Sequence, residues 1–269
     1  MMTPSPPDTT PDLQGDPAST LAAITRVPFS APFAWLAGGV SDLRAAPAAS
    51  LFYGAAFALM GWMIAFFYGH AYSLTVALMG GFMLVGPGLA MGLYELSRQR
   101  ESGETPRLKP SLTIWRSNLS NLGIFALVTG VVLLIWARAS LVVFAVFYTS
   151  GLPSTDDFLR ELLAFKNAEF VIAYLVIGSG FAAFIFSISV VAVPLMLDRD
   201  KDAVSAMLFS LATVAKNPLP MLVWGGLIVT LAGIGFATAF AGLIITIPIL
   251  GHATWHAYRA LIPPDKAPG

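Results

Sequence analysis

Residues 218–250 read PLPMLVWGGLIVTLAGIGFATAFAGLIITIPIL, 33 positions without a charged side chain. With neutral histidines the run continues through His252 and His256 to Tyr258. A single helix of that length would measure about 60 Å, roughly twice the hydrocarbon thickness of a bilayer. The run must fold back on itself, and Gly235 to Thr238 is the predicted place. Four further uncharged windows precede it: Leu51–Gly69, Leu74–Tyr94, Leu119–Ala137 and Phe170–Leu197, the third resuming beyond Arg138 as far as Tyr148. Six spans are therefore expected in an all-α polytopic membrane domain covering 28–261, at about 51–70, 73–96, 119–148, 168–197, 218–236 and 239–258.

Composition agrees. The chain has 269 residues, 57% apolar and 11% charged, where soluble domains carry roughly 25% charged residues. Too few polar side chains remain to coat a soluble core, and no basic surface exists for nucleic acid. The lipid bilayer is the expected partner. Cysteine is absent, which removes disulfides, zinc ribbons and thiol nucleophiles from consideration. The first twenty residues, with Pro4, Pro6, Pro7, Pro11 and Pro17, are too polar to fold. A disordered tail is expected over 1–27 and a short one over 262–269. The start has no basic stretch followed by an apolar run, so no cleavable signal peptide is predicted.

Short cytoplasmic loops are enriched in Lys and Arg. Arg26, Arg44, Arg98, Arg100, Arg107, Lys109, Arg116, Arg199, Lys201, Lys216, Arg259 and Lys266 fall on one side of the six-span arrangement; only Arg138, Arg160 and Lys166 fall on the other. Both termini are expected in the cytoplasm, with the domain in a bacterial inner membrane.

A threefold pattern runs through the domain. Phe33, Leu36, Val40 and Leu43 step by 3, 4 and 3 ahead of the first span. Leu112, Trp115, Leu119 and Leu122 repeat the steps ahead of the third, and Val204, Met207, Leu211 and Val214 ahead of the fifth. Each set lines one helix face near an Arg or Lys. That pattern fits an amphipathic helix in the membrane interface and also fits an extension of the span that follows. Pro87, Pro194 and Pro248 sit near the cytoplasmic ends of the even-numbered spans, where each is expected to kink its helix. Three helical hairpins result, all facing the same way and each preceded by an interfacial segment. The middle one is long enough to project beyond the outer leaflet, with Phe158, Leu159, Leu162, Leu163 and Phe165 on its returning arm and Arg138 snorkelling. Gly88 with Gly92, Gly178 with Ala182, and Ala237 with Ala241 are spaced for close helix contact.

Chemistry-bearing groups are few. His252 and His256 lie four apart on one helix face, which suits a shared metal ion or an axial haem ligand and equally suits hydrogen bonding beside Trp255 and Tyr258. A metal needs three or four ligands, and His70 belongs to the opposite membrane face, so no cofactor is expected. Glu95 and Arg98 lie three apart, either as part of a substrate path or as an interface ion pair. If the first and third hairpins pack side by side, Glu95 and His256 occupy equivalent depths and can pair. Tyr94, Glu95, Arg98, His252, His256 and Arg259 form the candidate polar cluster. Phosphate-loop, zinc-protease and serine-hydrolase motifs are missing, as is a mid-membrane acid. No catalytic residue is assigned, and an enzyme is the weaker reading.

Three stretches carry a family likeness: Gly86 to Arg98 (GPGLAMGLYELSR), Pro28 to Phe33 (PFSAPF) and Gly251 to Arg259 (GHATWHAYR). Together they resemble the bacterial membrane proteins grouped as domain of unknown function 2189. The resemblance implies a six-helix inner-membrane protein of unassigned activity. Some relatives carry the label cytochrome c oxidase subunit I. That subunit uses about six histidines for its haems and copper, on about twelve spans, whereas this chain has three histidines. An accessory or assembly role beside a respiratory complex then rests on the label's analogy alone. The readings carried forward are a non-enzymatic accessory protein associating with other membrane proteins, a small-solute transporter or channel, and a haem- or metal-binding protein using His252 and His256.

Overall fold

The computed structural model describes residues 23–68, 70–148, 167–199 and 201–264. In chain order the helices are α1 (Ala31–Ala45), α2 (Pro47–Tyr68), α3 (Tyr72–Glu101), α4 (Leu108–Ser111), a 3₁₀ turn (Ile114–Asn118), α5 (Leu119–Phe147), α6 (Ala168–Ser189), α7 (Ala192–Arg199), α8 (Ala203–Lys216), α9 (Pro218–Ala237) and α10 (Leu243–Leu261). No strand occurs among the described residues. Four helical runs are long and apolar enough to cross a membrane: Pro47–Tyr68, Leu108–Phe147, Ala168–Arg199 and Pro218–Ala237. The remaining two expected spans, 73–96 and 239–258, fall in α3 and α10, which are helical but not among those four. Glu95, Arg98, Arg100 and Glu101 occupy the last turns of α3, while α10 buries much of its surface, His252 included, against its neighbours.

The long uncharged run does fold back. α9 ends at Ala237, and the turn puts Ala239 and Phe240 at φ of 50° and 67°. Thr238 Oγ1 accepts from Gly242 N at 2.8 Å, and Trp62 Nε1 of α2 donates to Ala239 O at 2.6 Å. Ala237 and Ala241 therefore stand on either side of a turn and form no helix-contact pair. Gly92 does make a close contact, lying directly beneath the Tyr53 ring.

Pro87 and Pro248 stay inside continuous helices, but Pro194 does not. Proline lacks the N–H that would bond residue 190 and its ring crowds that carbonyl, so the fourth expected span breaks between α6 and α7. Ser210 of α8 fills the break: its hydroxyl donates to Ser187 O at 2.8 Å and accepts from Val191 N at 3.3 Å. A neighbouring helix thus bridges the separated Ser187 O and Val191 N.

Of the three interfacial segments, α1 and α8 are helices distinct from the spans they precede, set off at Ala46 and Asn217. The middle segment is only α4 and the 3₁₀ turn. The faces they turn inward are not the apolar faces that the spacing marks. Phe33 is 56% exposed, and α1 buries Pro32, Trp35, Gly39 and Asp42 instead. In α8, Val204 and Leu211 are exposed, whereas Ala203, Ala206, Ser210 and Thr213 are buried with Met207. The inner faces keep the 3, 4, 3 step, displaced by one residue. In a membrane the large apolar side chains suit lipid, while helix contacts select small and hydrogen-bonding residues.

Packing centres on α10. A Cβ on Gly39 would stand 2.5 Å from Ile249 O, and one on Gly54 would collide with Ile244 O, so α1 and α2 meet α10 backbone to backbone. Consecutive long helices pair as α2 on α3, α5 on α6 and α9 on α10. Each entry segment lies on the second long helix of another pair: α1 on α10, α4 and the 3₁₀ turn on α3, α8 on α6 and α7. Residues 24–27, assigned to the tail by sequence, are pinned at the charged end. Thr25 N donates to Leu261 O at 2.7 Å, Val27 N to Asn217 Oδ1 at 3.0 Å, and Lys216 Nζ to Ile24 O at 2.7 Å. The returning arm of the middle hairpin, Phe158 to Lys166, lies outside the described residues.

Candidate polar site at the charged end of the bundle

Asp42 is the hub of the site. It lies at the last position of the α1 inner face, a turn beyond Gly38 and Gly39, and is buried. A Cβ on Gly38 would be 2.7 Å from the His256 ring, so the missing side chain lets that ring lie flat on α1. His256 Nε2 then donates to Asp42 Oδ2 at 3.0 Å. Arg100 of α3 pairs with Asp42 Oδ1 and donates to Ser41 Oγ at 3.0 Å.

Ser97 of α3 donates to Asp42 Oδ2 at 2.6 Å and lies 2.8 Å from His252 Nδ1. A hydroxyl has one proton. With it given to Asp42, Ser97 Oγ accepts from His252, which places a proton on Nδ1. In the neutral ring, Nε2 takes the hydroxyl proton of Ser50 on α2, 2.9 Å away. A hydrogen-bonded chain thus runs from Ser50 through His252 and Ser97 to Asp42, joining α1, α2, α3 and α10. Burial pushes the Asp42 carboxyl up, but hydrogen bonds from His256 and Ser97, with the charges of both histidines, outweigh it and hold the group below its ordinary value.

A cavity of about 380 Å³ opens onto this cluster, lined by Gly38, Ser41, Asp42, Ser97, Arg100, Glu101, His256 and Arg259. His252 is sealed beneath it, whereas the His256 side chain is 37% exposed. On the far wall Arg259 bridges Glu101, through Nε at 2.9 Å, and Asp198 of α7, through Nη1 at 2.9 Å. Trp255 Nε1 donates to Glu101 at 2.9 Å, Tyr258 OH to Asp198 at 2.5 Å, and the guanidinium lies 5.0 Å from the Trp255 ring centre.

Sequence reasoning named Tyr94, Glu95, Arg98, His252, His256 and Arg259. The structure gathers the histidines and Arg259 around the cavity. Tyr94 is buried and reaches Thr254 of α10. Glu95 and Arg98 stand apart: Glu95 accepts from Arg98 Nε at 2.7 Å and Gln99 Nε2 at 2.8 Å. The carboxylate beside His256 is therefore Asp42, and the suggested Glu95–His256 contact does not form. Ser50, Ser97, Arg100, Glu101 and Asp198 also escaped the sequence reading. Asp42 did leave a signal, being the one acidic residue between Asp16 and Glu95.

Both ring nitrogens of His252 are engaged by hydroxyls, so a metal or haem iron would have to displace one of them. Among the described residues no group of three His, Asp or Glu is placed to hold a metal ion. The accessible chemistry is the His256–Asp42 pair, whose imidazole can exchange a proton at the cavity while the carboxylate orients it.

No curated protein and no solved structure matches the chain. Of the three stretches that carry the likeness, Gly86 to Arg98 falls inside the region where a family model does match, and the other two fall outside it. That region is residues 74–198, from the first turn of α3 to the Asp198 that holds Arg259, and the model it matches is DUF2189, described as "Predicted integral membrane protein".

Proposed function

We propose that the protein is a six-span component of the bacterial inner membrane, built from three hairpins with both ends in the cytoplasm, and that it acts without catalysis as an accessory or assembly partner of a membrane complex. The observation that supports it is the use made of the bundle's polar groups. Asp42, Ser50, Ser97, His252, Arg100, Arg259, Glu101 and Asp198 spend hydrogen bonds on one another, clamping α1, α2, α3, α7 and α10. Two further cavities, one beside Trp115 and one beside Trp136, are lined almost wholly by apolar side chains. Such a plan favours a rigid frame over a reaction centre, which needs a nucleophile or base with room for substrate.

The same clamp supports the proposed orientation. Residues 24–27, the end of α3, the end of α7, the α8–α9 junction and the end of α10 touch one another, and these segments hold Arg26, Arg98, Arg100, Arg199, Lys216 and Arg259. The positive-inside rule favours the cytoplasm for that end. Purification of tagged protein in mild detergent after brief in-cell crosslinking tests the role. A reproducible set of membrane partners supports it, and a lone monomer that moves a solute in liposomes overturns it.

Transport is the second reading, favoured by the hydrogen-bonded chain from the open cavity at His256 down to buried Ser50. Proton flux through liposomes that falls at least tenfold in His252→Ala supports it; flux no greater than in empty liposomes removes it.

A further inference from the structure

An apolar groove opens where the first hairpin meets the second, with a lining distinct from that of the Asp42 cavity. Its walls are Val85 and Leu89 of α3, Leu112 and Trp115 of the entry segment, and Leu119 and Leu122 at the start of α5. Two missing side chains create it. Gly88 has only the Trp115 side chain nearby, at 3.8 Å, and a Cβ on Gly123 would meet nothing within 4 Å. The hydroxyls within it are already satisfied, Tyr53 and Ser111 bonding each other at 2.8 Å. The cavity measures about 320 Å³, within the roughly 300–1,000 Å³ of small-ligand sites.

The mouth of the groove is basic. It opens at the start of the apolar run Leu108–Phe147, the level at which tryptophan marks a membrane interface. The Arg116 guanidinium stands 5.7 Å from the ring centre of Trp115, itself a groove wall. Lys109 is exposed on α4, one helical turn before the groove residue Leu112. Residues 107–118 contain Arg107, Lys109 and Arg116 and no acid. Arg107 belongs to a separate pocket with Glu95 and Glu104. Among the described residues neither Lys109 nor Arg116 lies within ion-pair distance of a carboxylate.

We infer that this groove is a binding site for an anionic glycerophospholipid, with an acyl chain against Gly88 and Gly123 and the phosphodiester between Lys109 and Arg116. An acyl chain meets the apolar lining without leaving polar groups unpaired, and an anionic headgroup meets the two cations. Basic pockets between membrane helices select anionic lipid by this combination. The inference rests only on the chain being in a membrane and is independent of the accessory role.

The test is native mass spectrometry of the full chain, purified in detergent and given equal palmitoyl-oleoyl phosphatidylglycerol and phosphatidylcholine. Wild type is expected to retain phosphatidylglycerol in clear preference. Lys109→Gln and Arg116→Gln should each weaken that preference about fivefold, while Arg44→Gln, on α1, leaves it in place. Gly123→Leu should abolish retention of both lipids; its site is open and mid-helix leucine is favoured over glycine, so its melting temperature should match or exceed that of wild type. Equal retention of the two lipids, an Arg44→Gln effect as large as that of Lys109→Gln, or undiminished lipid in folded Gly123→Leu overturns the assignment.

Discussion

Asp42 accepts from Ser97 and His256, pairs with Arg100, and is buried while doing so. Replacing it by asparagine keeps the shape but leaves Arg100 without its carboxylate and weakens the bonds from both other donors. Hydrogen bonds to a buried charged group contribute about 1.5–3 kcal/mol each, so Asp42→Asn should lower stability at neutral pH by about 2 kcal/mol, read by thermal melting in detergent. The pH dependence has a definite sign. Because the folded carboxyl titrates below its ordinary 3.8, its contribution is complete above that value and is lost as pH falls through the folded pKa. Wild type should lose melting temperature on acidification below about pH 4, and Asp42→Asn should show a shallower loss. Equal acid limbs in the two proteins would count against Asp42 as the group responsible.

At the level of elements, the contact that assembles the site is α1 against α10, made by two adjacent glycines with different neighbours. Gly39 faces backbone, Ile249 O and Ala253 N, whereas the three atoms nearest a Cβ on Gly38 all belong to the His256 ring. Overpacking costs typically about 1–3 kcal/mol where nothing can move. Gly38→Ala should therefore destabilise wild type by about 1–2 kcal/mol and cost almost nothing in His256→Ala, where the ring is gone. A double-mutant cycle on melting curves measures the coupling; additive effects would mean that the ring and α1 are not in the contact described. The same elements explain what periodicity missed. Phe33, Leu36, Val40 and Leu43 do share a face, but in a bilayer lipid and protein interior are both apolar, so hydrophobic spacing does not say which side faces inward. Size and hydrogen bonding do, through Gly39, Asp42, Ser210 and Thr213.

For the whole molecule, the arrangement predicts where reporters appear. Fusions after Gly103 or after Lys216 should report the cytoplasm, and insertions at His70 or at the turn near Ala239 should report the outside; the turn and His70 lie at the end remote from the clamp, with Trp62 bonded to Ala239 O. An outside signal at Gly103 would invert the topology. Local composition alone was enough to locate the helices, the reversal between residues 218 and 258, and the basic end, because the cost of burying charge and the length of a helical residue act on contiguous sequence. The site was legible only in part: His252, His256 and Arg259 were visible as polar residues in an oily helix, but their carboxylate was not. Asp42 and His256 are 214 positions apart, and only the packing of α1 on α10 through Gly38 and Gly39 brings them together. That packing, and the turning of Glu95 away to Arg98 and Gln99, depends on how helix faces fit one another in three dimensions, which no periodicity along one chain encodes.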